Sequence, residues 1–296
     1  MRPLPAETLH DPIEAGPYRM ALGLTTVSES EWFEFDALYH GEMAEKRRLL
    51  AEQPTDVFAV TPGIEAACAE ALASIVAALT AYRSDWFSLD GPILTNRLTG
   101  EIWNTGAEHP LELAGRLVQE DLCLIQNTPD GPVFSAASLC FPSRWRLSEK
   151  IGRPLAAVHG PVPQYADRLA APVDRFMRHL RPGRIAARLN WSVVDDPALF
   201  QPGGKWRTAR NDAITAANAG ENLFLRVERQ TLRLLPTSAT VLFGIRVHVY
   251  PLDLIAPDRL AVALRALPED IATYKSLPSF RTALLAWLDN KMGASE

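Results

Sequence analysis

Between residues 62 and 86, apolar side chains fall at Ile64, Ala67, Ala71, Ile75, Ala78 and Leu79. That three-and-four spacing marks one face of a helix. The stretch is rich in alanine, so it reads as a buried helix beginning after Pro62. Upstream, residues 30–52 carry Leu38, Met43, Leu49 and Leu50 at loosely helical intervals. Ser28 followed by Glu31 has the form of a capping box, and Pro54 ends the segment.

From Pro92 onward the period falls to two. Residues 93–97 and 101–104 flank Leu98-Thr99-Gly100 as a hairpin, and residues 122–128 and 133–138 flank Pro129-Asp130-Gly131. A short helix is predicted at residues 111–119, another at 143–150, and an amphipathic one at 163–180 with Leu169, Val173, Phe176, Met177 and Leu180. Ile185, Ala187, Leu189, Trp191 and Val193 alternate with mostly polar neighbours as in a strand. Residues 195–215 form a long polar loop around Pro202-Gly203-Gly204, and loops of that length are usually functional. Two long strands, residues 223–235 and 240–250, meet at Pro236-Thr237-Ser238. Helices at residues 257–266, 268–274 and 278–290 close the chain. Short turns between neighbouring strands favour antiparallel pairing. The order predicts an α+β fold with an antiparallel sheet of about six or seven strands covered by helices. Residues 1–24 are expected to be an N-terminal arm and residues 25–296 a single domain.

Composition narrows the function classes. The chain is 47% hydrophobic and 22% charged, with net charge −5, so it can bury a core and has no broad basic footprint for nucleic acid. No apolar run reaches the ~20 residues of a membrane span, and the N-terminus has no apolar signal core. No membrane role and a cytoplasmic location are therefore expected. Three scattered cysteines, Cys68, Cys123 and Cys140, argue for a reducing compartment and against a four-cysteine metal site in this chain.

The chemistry concentrates in residues 139–165. Pro142, Pro154, Pro161 and Pro163 surround one histidine, His159, with Arg144, Arg146, Lys150 and Arg153 just upstream. Prolines stiffen this backbone, and a stiffly mounted imidazole suits a metal ligand. A lone histidine is also commonly a surface or satisfied core residue. The cations suit a ligand bearing carboxylates, or else they snorkel over the surface. Trp145 and Tyr165 either pack on a cofactor or fill core. In the late hairpin, alternation places Arg226, Glu228, Arg246 and His248 on one sheet face if the strands pair. That row is either a solvated face with cross-strand ion pairs or the lining of a pocket. The chain has no glycine-rich dinucleotide or phosphate loop and no H-E-x-x-H.

Four segments carry a resemblance: CFPSRWRLSEKIGRPLAAVHGPVPQY, the N-terminal YRMALGLTTVSESEWFEFDALYHGEMAEKRRLL, QEDLCLI, and LFLRVERQTLRLLPTSATVLFGIRVHVYPL. Together they resemble the haem-binding subunit of the haem-dependent oxidative N-demethylase, or dimethylamine monooxygenase, over about residues 18–274. The resemblance implies a PAS-like fold holding haem (iron protoporphyrin IX) through a proximal histidine, best matched by His159, with His248 in reserve. On this reading the candidate cofactor contacts are Arg144, Arg146, Lys150, Arg246 and Tyr165, and the candidate catalytic residues are Arg226 and Glu228. Glu228 or Asp195, or an aromatic cage, would receive the ammonium of a small amine substrate. Oxidation with O2 would give a primary amine and formaldehyde, with electrons from a separate reductase subunit carrying flavin and an iron–sulfur centre. A haem-based PAS-like sensor and a haem-free small-molecule-binding protein are the competing readings.

Overall fold

A computed structural model describes residues 10–13 and 22–293. Most of the expected N-terminal arm lies outside the described residues. Ten strands are described: β1 (Thr25–Val27), β2 (Phe58–Val60), β3 (Phe87–Asp90), β4 (Ile93–Asn96), β5 (Glu101–Asn104), β6 (Asp121–Thr128), β7 (Gly131–Ser138), β8 (Ile185–Val194), β9 (Phe224–Leu234) and β10 (Val241–Pro251). Seven of them form one sheet in the order β1-β8-β9-β10-β6-β7-β2, and β3-β4-β5 form a small second sheet. Every pairing is antiparallel. The α+β expectation therefore holds, and the arrangement is compatible with a PAS-like label.

The helix Glu65–Tyr82 buries Ala67, Cys68, Ala71, Leu72, Ile75, Val76, Ala78 and Leu79. It is apolar and long enough by composition to cross a membrane. These buried residues share one core cluster with Leu122, Leu124 and Leu242 of the large sheet. The closing helices Pro257–Ala266 and Arg281–Gly293 pack on the same side through Leu225, Val227 and Tyr250. The opposite side carries Cys123, Phe134, Phe243 and Ile245, which pack against Leu155, Met177 and the proline-bounded segment.

The first helix differs from expectation. Ser28 caps only a short 3-10 turn, Glu29–Glu31, with its N–H donating to Glu31 Oε2 at 3.0 Å. The helix itself is Tyr39–Glu52, opened by Asp36 Oδ1 accepting from the Leu38 N–H. Trp32, Phe33 and Phe35 are all buried in between. Trp32 is αR, with φ −60° and ψ −50°, and the chain bends there before the helix begins at Tyr39, so the three aromatics lie in an irregular link and not in the helix. Residues 143–150 form only the 3-10 turn Leu147–Glu149, and the helix expected at 163–180 is divided into Tyr165–Arg168 and Ala170–His179.

Candidate cofactor pocket

A cavity of about 840 Å³ lies against one face of the large sheet. Register defines that face. Arg188 stands opposite Gln230, Asn190 opposite Glu228 and Ser192 opposite Arg226 across β8 and β9. Gln230 pairs with Ile245 and Leu232 with Phe243 across β9 and β10. All of these line the cavity, with Cys123, Ile125 and Phe134 continuing the floor. Residues 139–180 and the loop after β8 form the other walls, and the lining reaches His10 and Trp191 at the β8 edge.

His159 follows the one-turn helix Leu155–Val158 and lines this cavity. The turn is mounted on the sheet: Gly152 N–H donates to Phe134 O at 2.7 Å, and Phe134 N–H to Arg153 O at 3.0 Å. Gly152 has φ +74°, a conformation that a glycine adopts without strain. The His159 ring is fixed twice. Its Nδ1–H donates to Leu155 O at 2.9 Å, and its face stacks on Tyr165 with centroids 4.7 Å apart. Burial, helped by the Lys150, Arg188 and Lys205 charges and opposed by the Leu155 bond, pulls its pKa down to about 4. At neutral pH the ring is therefore neutral, with Nδ1 carrying the proton that it donates to Leu155 O.

Much of the remaining lining is apolar, and its charged residues are mostly cations. Burial lowers Lys150 to about 8, with Lys205 adding to the effect and Glu228 opposing it. Lys275 is likewise lowered to about 8, chiefly by burial. Burial also lowers Lys205, which sits 4.8 Å from the Tyr274 ring centroid and donates to the Tyr274 hydroxyl at 3.3 Å. Lys150 Nζ lies 3.9 Å from the Trp145 ring centroid, and Lys275 donates to Trp191 O. Glu228 is the carboxylate facing these lysines, and its Oε2 accepts from Gln230 at 2.9 Å and Asn190 at 3.3 Å. Burial pushes the Tyr165 and Tyr274 phenols up to about 12, so both remain neutral donors.

Arg144 and Arg226 line the cavity but mainly brace its walls. Arg144, with φ +62°, pairs with Asp195 at 2.5 Å and reaches Gln201 at 3.3 Å, tying the proline segment to the loop. Arg226 donates to Phe141 O at 2.8 Å, Leu199 O at 3.1 Å and Ala198 O at 3.2 Å. Arg144 Nη1 and Arg226 Nε are buried without a hydrogen-bond partner.

Two expectations need correction. Arg146 is exposed and faces Asp56 at 4.0 Å, outside the lining. Arg246 and His248 do not share a face with Arg226 and Glu228. The hairpin pairs Arg226 with Val249 and Glu228 with Val247, so Arg246 and His248 belong to the other face. A one-residue difference in register reverses every side chain, and only the turn between the strands sets it. On that other face Arg246 is fully buried between Asp36 at 2.5 Å and Glu42 at 2.8 Å. Arg188, Lys205, Tyr274 and Lys275 were missed. Lys205 lies in the long loop that length had marked, whereas Tyr274 and Lys275 end a helix with no local signal.

The family model described as haem-dependent oxidative N-demethylase, alpha subunit-like, matches residues 23–285. The chain belongs to this family. A haem-dependent protein of this kind needs a neutral imidazole, an apolar slot and partners for two propionates. The cavity meets each need. His159 is neutral with Nε2 unencumbered by its backbone bond, and the volume falls in the ~300–1,000 Å³ range of cofactor sites. Eight lysines and arginines line the cavity against Asp11, Asp121 and Glu228, so the lining has positive charge in excess. The orphaned Arg144 Nη1 is a further donor awaiting an acceptor. The residues present therefore fit haem.

Proposed function

We propose that this chain is the haem-binding subunit of an oxidative N-demethylase acting on a small secondary amine of the dimethylamine type. The observation that carries the reading is His159, neutral and doubly anchored, on the wall of a cavity whose charged lining residues are mostly lysines and arginines. Haem, when bound, supplies the oxygen chemistry, using O2 and two electrons from a separate flavin and iron–sulfur reductase.

The chain's own residues do the rest. His159 holds the iron through Nε2, and Leu155 O fixes its tautomer. Lys150, Lys205 and Lys275 neutralise propionates, with Arg144 Nη1 as an additional donor. Glu228 receives the protonated amine, and the amides of Asn190 and Gln230 hold its carboxylate in place. Arg226 keeps the wall closed by binding three carbonyls and so excludes water. One methyl group leaves as formaldehyde, the primary amine remains, and the second oxygen atom of O2 becomes water with two protons.

Reconstitution tests this directly. The purified chain with haemin should give a saturable Soret band, and His159→Ala should alter its position and weaken binding. With reductant, O2 and dimethylamine, formaldehyde should form in proportion to bound haem. A wild-type spectrum and affinity in His159→Ala would refute the ligand assignment. Stable haem binding without formaldehyde from any secondary amine would refute the enzymatic one.

A further inference from the structure

On the sheet face opposite the cavity floor, three side chains far apart in sequence converge. His10 Nε2 lies 3.1 Å from Glu34 Oε2, and His248 Nε2 lies 3.0 Å from the same oxygen. The two imidazole centroids are 4.8 Å apart, and the three ligand atoms all lie within 4.8 Å of one another. His248 is 3% exposed, whereas the His10 and Glu34 side chains are 16% and 24% exposed, which leaves a route from solvent.

Hydrogen bonding alone leaves this arrangement unsatisfied. His248 Nδ1 is buried without a hydrogen-bond partner and lies 3.9 Å from Asp36 Oδ2. A neutral imidazole carries one N–H. If Nε2 carries it, a buried lone pair on Nδ1 faces the Asp36 carboxylate. If Nδ1 carries it, the Nε2 lone pair faces a Glu34 oxygen at 3.0 Å. A cation on Nε2 would take up that lone pair and leave Nδ1–H beside the Asp36 carboxylate, 3.9 Å away, as a charge contact longer than a hydrogen bond.

We infer that His10, Glu34 and His248 form a binding site for a divalent transition-metal ion of the zinc type, distinct from His159, with His10 also bordering the cavity. Two imidazoles and one carboxylate are a zinc donor set, with solvent completing a tetrahedron. With metal–ligand bonds of ~2.0–2.1 Å, tetrahedral ligand atoms stand about 3.3 Å apart, close to the His–Glu separations present. Glu34 Oε1 stays with Arg229 Nε, 3.1 Å away, which orients the carboxylate. The ion would clip three parts of the chain together: the segment at His10, the approach to the helix Tyr39–Glu52, and β10.

The test uses the full chain, stripped with chelator and free of haem, titrated with Zn2+ alone. Elemental analysis counts bound zinc, and Co2+ substituted for it reports ligand geometry by visible absorption. The expected result is one equivalent bound, with affinity falling at least roughly tenfold in both His10→Ala and Glu34→Gln. Circular dichroism checks the fold, Glu34→Gln being nearly isosteric, and His40→Ala, at an exposed histidine, should bind as wild type. A doubly protonated His248 would place its charge between Glu34 and Asp36 without any metal, and it predicts no uptake. Absence of saturable uptake, or uptake that survives either ligand substitution, would overturn the site.

Discussion

Raising the pH from 7 to 9 should weaken haem binding steeply, and two lysines set the slope. Lys150 and Lys275 line the pocket with pKa values lowered to about 8, mainly because burial penalises the ammonium form. Propionates beside them restore the charge, so binding raises both values and takes up protons. The sign follows from linkage: affinity is full while the lysines are already protonated in the empty pocket and falls once they are not. A group with pKa 8 is about 90% protonated at pH 7 and about 10% at pH 9, so each lysine weakens binding roughly tenfold at pH 9. Two acting together give ~100-fold, or about 2.7 kcal/mol. Haemin titrations followed by the Soret band at pH 7, 8 and 9 measure this. Lys150→Met keeps the apolar stem over Trp145 and should remove about half of the logarithmic slope while weakening binding at pH 7. A flat affinity between pH 7 and 9, or an unchanged slope in Lys150→Met and Lys275→Met, would show that these ammonium groups do not meet the propionates.

Other consequences can be checked independently. Glu228→Gln should raise KM for a secondary amine by about tenfold or more, the scale of one charge-assisted contact, while leaving the Soret position unchanged. Arg246→Met strands Asp36 and Glu42 as buried carboxylates and should cost about 3–5 kcal/mol in urea unfolding. Because Arg246 belongs to the other sheet face, residual folded Arg246→Met protein should still bind haem. Gly220→Ala would place a Cβ 2.5 Å from the Trp287 ring, and thermal unfolding should show a loss of about 1–3 kcal/mol from overpacking. A Gly220→Ala protein as stable as wild type would mean that this packing of helix on turn is looser than it stands here.

Much of the secondary structure was legible because its signals are local. The helix Glu65–Tyr82 follows from spacing and alanine content, and β8 from strict alternation. β6 and β7 are divided by a proline–aspartate–glycine turn that marks itself. The three-residue strands β1 and β2 were not visible, since segments that short carry no period of their own and exist only as partners to β8 and β7. Trp32, Phe33 and Phe35 misled in the other direction. Beside a capping box they resemble a helix start, yet the helix begins only at Tyr39 and all three are buried in the irregular link before it.

The sequence by itself determined the α+β class, the stiff mount of His159 and its surplus of neighbouring cations, because prolines, turns and apolar periods act within a few residues. The tertiary structure decided which charged groups share a site. Arg226 and Glu228 face the pocket while Arg246 and His248 face His10, Glu34 and Asp36, and Lys275 reaches the pocket from the far end of the chain. Strand register and long-range packing set those meetings, and alternation along one strand is the same whichever register its partner takes.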